Sequence, residues 1–443
     1  MLLLLRRRQI SLILIAVSCV FLTGAASVAQ TKLDGAWQGA LVREGSEATV
    51  SVIFKPTANG FNGTMTMLSV GMFRQPLSNI ILNSPQIHFE QENLTAVFDG
   101  EVRGHQITGS LKIIGLNATF HLRRSKDEPL PYTQEEVRFR NGNIALAGTL
   151  TLPLTRRANP AIVFTHGGGP DTRDLSRFYA DHFARVGIAS LIYDKRGVGG
   201  SSPDLVDWGR SSFADLSGDA LAGIHFLQSR KEIDPTRIGL YGPSNGGWVV
   251  EYAAARSRDV AFIIVVSGGA IPSWESEVYR VEAEMRAETF PEDAIDNAVA
   301  FMRQKFEVAR TGQGWEQFQT LINRSRREKW FRLVNAPSSL DRLREAWSGQ
   351  FAYDPGPDLG KAQVPVLALF GERDTETPAK RIAARTEQAL REARNKNYLV
   401  KVFTGASHGL LMFPEEGKPW FFFKFADDYL NVMTEWVLKQ TRK

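Results

Sequence analysis

The sequence predicts a small all-β, barrel-like domain followed by a doubly wound, mostly parallel α/β sheet that carries a helical cap insertion. Three patterns support this prediction. Residues 33–122 alternate between apolar and polar side chains, with turn residues about every ten positions. From residue 132 onward, apolar runs of strand length alternate with segments of helical period, and a long helical stretch interrupts that rhythm. With 443 residues, the chain has room for both domains.

The first domain is predicted for residues 30–128. Residues 48–54 (ATVSVIF) and 106–111 (QITGSL) are typical of strands with one buried face, because successive side chains of a strand point to opposite faces. No stretch of helical period lies between such segments, which favours a barrel or a sandwich of antiparallel strands. A polar, charged connector, residues 123–128, is expected to end this domain.

The second domain is predicted for residues 129–443. Its strands are continuously apolar rather than alternating, as expected where a strand is buried on both faces of a sheet. The predicted strands are residues 161–164, 189–193, 238–241, 261–266 and 364–370, and the helices between them include residues 213–228, 247–256 and 379–392. This alternation predicts parallel strands joined by crossover helices.

A long insertion, residues 271–360, lies between two of these predicted strands. It is charged, has a helical period and contains Trp274, Trp315, Trp330 and Trp347. A structureless loop of such length is uncommon inside a compact domain, so we expect a helical cap over the edge of the sheet.

The first 29 residues are predicted to be a signal peptide. Three arginines (residues 6–8) precede an apolar run at residues 10–22, and residues 27–29 (SVA) fit a cleavage site. The apolar run is shorter than the ~20 residues that a membrane-spanning helix needs, which favours cleavage over an anchor. The expected location is therefore periplasmic or extracellular. Cys19, the only cysteine, lies in this leader, so the exported chain would contain no disulfide.

The composition argues against several kinds of partner. The formal net charge is +5, but three of these charges are the arginines of the leader, and the remainder is too weakly basic to indicate nucleic acid or an anionic membrane. No spacing of His, Asp, Glu or Cys matches a metal-binding motif, and no phosphate or dinucleotide fingerprint is present. The sequence therefore predicts no cofactor, no metal, no nucleic acid and no stable membrane insertion, and it leaves the oligomeric state open.

Ser244 is the principal candidate for a catalytic residue. It lies in residues 242–246 (GPSNG), between an apolar strand and a helix, with Gly242 and Gly246 two positions away on either side. In this arrangement the serine occupies a strained turn that only small neighbours permit, and its hydroxyl is held clear of the sheet. The N-terminus of the following helix directs backbone amides toward developing negative charge. The pattern predicts a serine nucleophile.

A second glycine-rich segment, residues 166–170 (HGGGP), directly follows the predicted strand 161–164. Because glycine has no side chain, the peptide N–H groups of this segment can approach a substrate oxygen closely. We expect the N–H of Gly168, or alternatively that of Gly169, to form an oxyanion hole with the N–H of Asn245. One such donor typically contributes about 10²–10³ in kcat.

A serine nucleophile needs a base, and the base needs a carboxylate that orients it. Among the seven histidines, His408 alone lies in a late loop of small residues (GASHG) directly after a predicted strand. Asp374 closely follows another strand, at the edge where the carboxyl ends of parallel strands meet. Glu372 and Glu376 are the alternatives to this aspartate. The order Ser244, Asp374, His408 along the chain is the one used by hydrolases on such a sheet.

Together, these segments resemble the α/β-hydrolase superfamily, in particular its esterase and serine-aminopeptidase-like branch. The resemblance covers about residue 135 to the C-terminus and rests on HGGGP, on DKRGVGGS (residues 194–201), on the serine turn, on GERD (residues 371–374) and on SHG (residues 407–409). It implies Ser244 as nucleophile, His408 as base, Asp374 as acid and the insertion as a cap over the substrate. The first domain resembles, more weakly, a β domain that precedes some exported bacterial esterases and carries no catalytic residues.

The sequence favours hydrolysis of small-molecule carboxylic esters through an acyl-enzyme on Ser244. Cleavage of short peptides by the same triad is the alternative. An aminopeptidase would need a carboxylate for the amine of its substrate, and the insertion offers Glu275, Glu277, Glu282 and Glu284, together with many arginines. A non-catalytic binding protein on a hydrolase scaffold is a third hypothesis, which the complete serine, aspartate and histidine set disfavours. The acyl chain and the leaving group are left open.

Overall fold

The computed structural model describes residues 33–155, 157–203, 210–415, 417–418 and 420–442. The predicted signal peptide, residues 1–29, and Cys19 lie outside this part of the chain. The first domain is one sheet of nine antiparallel strands. These strands, β1 to β9, are Gly35–Arg43, Ser46–Thr57, Gly60–Met67, Met72–Pro76, Ser78–Asn83, Gln86–Gln91, Ala96–Arg103, Gln106–Ile113 and Leu116–Ser125.

This sheet curls into a nearly closed barrel. Its strand order is β4-β3-β2-β1-β9-β8-β7-β6-β5, so β4 and β5 form the two edges. Only Leu77 separates these two strands in the chain, and its N–H donates to the carbonyl of Gly63 in β3 at 2.9 Å. Alternate side chains fill the interior, where the rings of Phe89 and Phe98 stack with their centroids 4.5 Å apart. The predicted connector at residues 123–128 begins inside β9, because Arg123 and Arg124 still pair with β1.

The second domain contains a sheet of eight strands in the order β10-β11-β13-β12-β14-β15-β16-β17. The strands are Tyr132–Asn141, Ile144–Pro153, Asn159–Phe164, Ala189–Tyr193, Ile233–Pro243, Ile263–Val266, Val366–Gly371 and Tyr398–Phe403. The last six pair in parallel, whereas β10 and β11 form an antiparallel edge that the sequence patterns did not identify. The doubly wound, mostly parallel sheet that the sequence predicts is thus present.

Helices cover both faces of this sheet. The α-helices of the described chain, α1 to α10, are Arg177–Arg185, Phe213–Gln228, Asn245–Arg256, Ser273–Ala287, Glu292–Thr311, Trp315–Ser325, Leu340–Ala346, Gly356–Leu359, Ala379–Glu392 and Tyr429–Thr441. Ala161 and Val163 of β12 pack with α2, α3 and α9, whereas Ile162 and Phe164 pack with α1 and α10. Because each of these apolar side chains is fully buried, a strand residue such as Ile162 contributes about 1.5–3 kcal/mol.

The cap comprises α4 to α8 and lies between β15 and β16 in the chain. It has a core of its own, in which the rings of Phe301 and Phe318 lie 5.0 Å apart beside Trp330. The buried ammonium of Lys305 donates to the carbonyls of Val334 and Asn335, both at 3.0 Å, and burial lowers its pKa to about 8. The cap is therefore a folded helical unit rather than a loop.

A short hairpin near the C-terminus connects the two domains. Its strands, β18 (Leu411–Met412) and β19 (Lys424–Phe425), pair antiparallel, and we call residues 411–425 the C-terminal hairpin. Phe422 and Phe423 of this hairpin are buried in the core of the barrel, and Arg43 of β1 lies over the ring of Trp420 at 5.0 Å. The barrel is thereby attached to the segment that follows the loop of His408. In the part of the chain that the structure describes, no helix is both long and apolar enough to cross a bilayer.

Candidate active site

Ser244 lies at the carboxyl edge of the sheet, in the turn between β14 and α3. Its backbone has φ 50° and ψ −121°, a region that residues other than glycine rarely occupy, and its N–H donates to the carbonyl of Val266 at 2.7 Å. The packing around the turn excludes larger neighbours, since a β-carbon at Gly242 would lie 2.1 Å from the carbonyl oxygen of Gly246. The local sequence thus produces a strained serine turn.

The glycine loop that follows β12 is held from two sides. The N–H of Gly167 donates to the carboxylate of Asp171 at 2.8 Å. The ammonium of Lys195 donates to the carbonyls of Gly167 and Gly169 at 2.9 and 3.0 Å. Burial lowers the pKa of this lysine to about 8. The bonds fix the course of the loop beside the serine turn.

Gly168 and Asn245, the two residues predicted to form an oxyanion hole, lie close together. A β-carbon at Gly168 would be 3.9 Å from the β-carbon of Asn245, and both residues line the same cavity as Ser244. Asn245 is the first residue of α3, so its N–H has no acceptor within the helix. Gly169, the predicted alternative, lines this cavity too. The backbone N–H groups of these residues therefore lie near Ser244, at the N-terminus of a helix.

His408 and Asp374 form a close pair. Nδ1 of His408 lies 2.8 Å from Oδ2 of Asp374. The buried carboxylate also accepts the N–H groups of Glu376 and Thr377, both at 2.8 Å, and the hydroxyl of Thr377 at 2.7 Å. Tyr279 of the cap donates to the carbonyl of Asp374 at 2.8 Å. With Nδ1–H bonded to this carboxylate, Nε2 is the nitrogen that can accept a proton.

The other two carboxylates considered from the sequence take different positions. Glu372 pairs with Lys380 at 3.0 Å. Glu376 lies 3.5 Å from Nε2 of His408, on the side of the ring opposite to Asp374. Of the three, Asp374 is therefore the one placed to orient the ring through Nδ1.

The surroundings of His408 favour its protonated form. Burial lowers its pKa, but the hydrogen bond and the charge of Asp374, together with the charge of Glu376, outweigh burial and raise the pKa above 6.5. Within the described chain, its Nε2 is buried and has no hydrogen-bond partner. Ser244 lines the same cavity, and the bond between such a serine and its base is often loose before a substrate binds.

Ser244 lies where two cavities meet. The cap cavity, of about 560 Å³, lies between the glycine loop, α3 and the cap, and it contains Asn245, Glu376, Arg280 and Gln350 in its wall. The small cavity, of about 250 Å³, lies on the side of His408, and its wall includes the side chains of Leu175, Tyr179 and Val266. Ser244 therefore has open space on two sides.

His166 is the other histidine that reaches the small cavity. Its Nε2 lies 2.6 Å from the carbonyl of Tyr193, and burial lowers its pKa to about 4. This ring is committed to the carbonyl and is not available as a base for Ser244. The remaining histidines of the described chain lie away from both cavities, in the barrel (His88, His105, His121) or on helices α1 and α2 (His182, His225).

Sequence reasoning did not identify several residues that hold the site together. Thr377 offers a local signal, because a threonine shortly after an aspartate commonly bonds to it in a turn. Lys195 lies in the DKRGVGGS segment, whose sequence indicates only structural support, and its contact with the glycine loop is visible only in the fold. Gln350 of the cap, which donates to the carbonyl of Ser211 at 2.7 Å, has no local signal at all. Within the described residues, no group of His, Asp or Glu is placed to hold a metal ion.

A doubly wound sheet with a strained serine turn at its carboxyl edge is the architecture of α/β hydrolases. The model of the alpha/beta hydrolase family matches residues 162–417, which is more than half of the chain, and the chain belongs to this family.

Among curated proteins, a segment is 31% identical over 138 residues to the quorum-quenching protein AidA of Acinetobacter baumannii, covering 30% of this chain and 44% of that protein. A putative carboxymethylenebutenolidase of Synechocystis is 29% identical over 145 residues, covering 30% of this chain and 58% of that protein. The chain thus spans about half the length of these relatives. Among solved structures, Est1E of Butyrivibrio proteoclasticus with bound ferulic acid has a TM-score of 0.42 and 19% identity, covering 69% of this chain and 98% of Est1E.

Proposed function

We propose that the chain is a serine esterase that cleaves carboxylic esters of small molecules through an acyl-enzyme on Ser244. The observation that carries the proposal is the pair of His408 and Asp374, 2.8 Å apart, in a cavity shared with a serine on a strained turn. Membership of the alpha/beta hydrolase family supports hydrolysis as the reaction class.

In the proposed reaction, Oγ of Ser244 attacks the ester carbonyl while Nε2 of His408 takes its proton. The N–H groups of Gly168 and Asn245 stabilise the oxyanion, and the imidazolium gives its proton to the departing alcohol. Water, activated by the same histidine, then attacks the acyl-enzyme and releases the acid. Asp374 stabilises the imidazolium in both steps, and none of the steps calls for a metal or a cofactor.

A fluorophosphonate probe tests the nucleophile directly. We expect the wild-type protein to be labelled and to lose turnover of p-nitrophenyl acetate, whereas Ser244→Ala takes up no label. Ser257→Ala is the matched control, because Ser257 closes the same helix α3 at its far end. Equal labelling of wild type and Ser244→Ala, or absence of labelling in both, would refute the proposal.

We also propose that the protein is exported and that its leader is removed before Gln30. Expression of the full chain in a bacterial host, followed by intact-mass measurement on the periplasmic and culture fractions, tests this. A mature protein beginning at Gln30 is the expected result. Full-length protein confined to the cytoplasm or to the membrane fraction would contradict it.

A further inference from the structure

The cap cavity has four charged side chains in its described wall, and three of them already have partners within the protein. Arg280 donates to Glu277 at 3.2 Å and to Glu284 at 2.9 Å, and it also bonds to the carbonyl of Leu333 at 3.0 Å. Lys195 is held by the carbonyls of the glycine loop. The cations of the cavity are thus engaged by the protein itself.

Glu376 is the fourth charged side chain, and its situation differs. Its N–H is bonded to the carboxylate of Asp374 at 2.8 Å, which fixes its backbone. Its side chain is 55% exposed, and Oε2 lies 3.5 Å from Nε2 of His408. Among the described residues, no lysine or arginine forms an ion pair with it. Glu376 and Ser244 line the same cavity, so a substrate bound at Ser244 shares that space with this carboxylate.

The orientation of two amides leaves a further acceptor in the same wall. Gln350 donates through Nε2 to the carbonyl of Ser211 at 2.7 Å, so its Oε1 faces Asn245 and accepts from Nδ2 of that residue at 3.4 Å. Oδ1 of Asn245 is then a buried acceptor without a donor in the described chain, and the buried hydroxyl of Ser276 also lacks a partner there. A ligand that donates hydrogen bonds would find these partners unoccupied.

We propose that the cap cavity binds the acyl part of the substrate and that this acyl part carries a protonated amino group close to the scissile carbonyl. Glu376 pairs with the ammonium, and Oδ1 of Asn245 is a second acceptor for its N–H groups. The inference rests on the esterase function proposed above and names its substrate class, esters of amino acids. The ammonium keeps its protons throughout, because the proton transfers of the reaction run between Ser244, His408, the alcohol and water.

The same charges should make other acyl groups poorer substrates. An anionic acyl group would be repelled by Glu376, and a purely apolar one would leave the acceptors of the wall without donors. A hydrogen bond from an ammonium to a buried acceptor such as Oδ1 of Asn245 changes affinity by roughly tenfold to a hundredfold, whereas an ion pair with an exposed carboxylate such as Glu376 adds at most about fivefold. We therefore expect the amino group to raise kcat/KM at least about tenfold.

Two benzyl esters that differ only in the amino group test the inference. These are the esters of alanine and of propionic acid, and the release of benzyl alcohol is followed below the pKa of the α-amino group, about 7.7–8.0. The preference is the ratio of kcat/KM for the alanyl ester to that for the propionyl ester, divided by the ratio of their hydroxide-catalysed hydrolysis rates to correct for intrinsic reactivity. For wild type this preference should be at least about tenfold. In Glu376→Gln this preference, taken as the ratio of the two esters in the same variant, should fall by about twofold to fivefold, the contribution of an exposed ion pair. Glu372→Gln is the matched control, because Glu372 lies two residues before Asp374 as Glu376 lies two residues after it. This variant should keep the preference.

The outcomes separate the two proposals. A wild-type enzyme that cleaves both esters without preference, or a Glu376→Gln variant with an undiminished preference, overturns the amino-acid specificity and leaves the esterase standing. If neither ester, nor p-nitrophenyl acetate, is turned over by the folded protein, the esterase proposal itself is wrong. The wild-type preference is measured without any variant, so a variant that fails to fold still leaves a decisive result.

Discussion

Asp374→Asn changes a single charge at the point where the proposed mechanism depends on it. The amide keeps the size of the carboxylate, and its oxygen can still accept the N–H groups of Glu376 and Thr377, which reach Oδ1 at 2.8 Å. Its NH₂ group then replaces Oδ2, 2.8 Å from Nδ1 of His408. An NH₂ group can donate only to an unprotonated Nδ1, so the proton of the neutral ring moves to Nε2. Nε2 is the atom that must accept the proton of Ser244.

The size of the effect follows from this wrong tautomer. A corresponding substitution in serine proteases lowers kcat about 10⁴-fold, which is about 5.4 kcal/mol of transition-state stabilisation. The fold should survive, because the amide oxygen keeps the bonds from the N–H groups of Glu376 and Thr377, and the two N–H donors of the NH₂ group can bond to Nδ1 of His408 and to the hydroxyl of Thr377. We therefore expect a folded and nearly inactive protein.

The assay is the kcat for p-nitrophenyl acetate, with the thermal midpoint recorded on the same samples. Glu372→Gln removes a carboxylate two residues away that pairs with Lys380, and it should stay within about twofold of wild type. An Asp374→Asn variant that retains more than about a tenth of the wild-type kcat would show that this carboxylate does not orient the base. A Glu372→Gln loss of the same size would point to general damage rather than to the tautomer.

Three further predictions concern pH and stability. Since the pKa of His408 lies above 6.5 and the base must be neutral, kcat/KM should fall as the pH drops through a midpoint above 6.5. Glu376→Gln should move that midpoint to lower pH, because it removes a negative charge 3.5 Å from Nε2 of His408. An unmoved midpoint would show that the charge of Glu376 does not act on this histidine. Burial raises the pKa of Glu251 to about 8 in the folded protein. Between about pH 4.5 and 8 this carboxyl group stays protonated in the folded state but ionises in the unfolded state, so the free energy of unfolding should decline by about 1.4 kcal/mol per pH unit. Glu251→Gln should flatten that decline in urea titrations, and parallel curves would contradict the assignment. Phe423→Ala, in the barrel core, should lower the free energy of unfolding by about 3–5 kcal/mol. Phe413→Ala should lower it clearly less, because that side chain is 48% exposed. Equal losses in the two variants would contradict the burial argument.

The elements with strong local signals were predictable from the sequence. Helix α2 is predicted at residues 213–228 and has those bounds, because Ser212 and Asp215 form a capping box at its start. The pair β10 and β11 was missed, since β10 is exposed on most of its length and alternates like a strand of the barrel. The domain to which such a strand belongs depends on its pairing. Here β10 joins the second domain because β11, its partner, pairs with the distant strand β13.

The candidate site shows the same division. The serine turn was predictable because its glycines and its position between strand and helix are adjacent in the chain. Asp374, Glu372 and Glu376 all lie within five residues after one strand, and only the contact with Nδ1 of His408 separates them. Cap contacts such as that of Gln350 with Ser211 depend on how the insertion closes over the sheet, which no local pattern encodes.

The C-terminal hairpin affects the order in which the chain can be completed during synthesis. The nine barrel strands leave the ribosome first, but Phe422 and Phe423, which belong to the barrel core, are among the last residues to be made. Until then the barrel must expose an apolar patch where these rings will pack, and exposed patches of this kind favour aggregation. A fragment ending near residue 128 would keep that patch permanently. The first domain to be translated is therefore completed only when nearly the whole chain has been made.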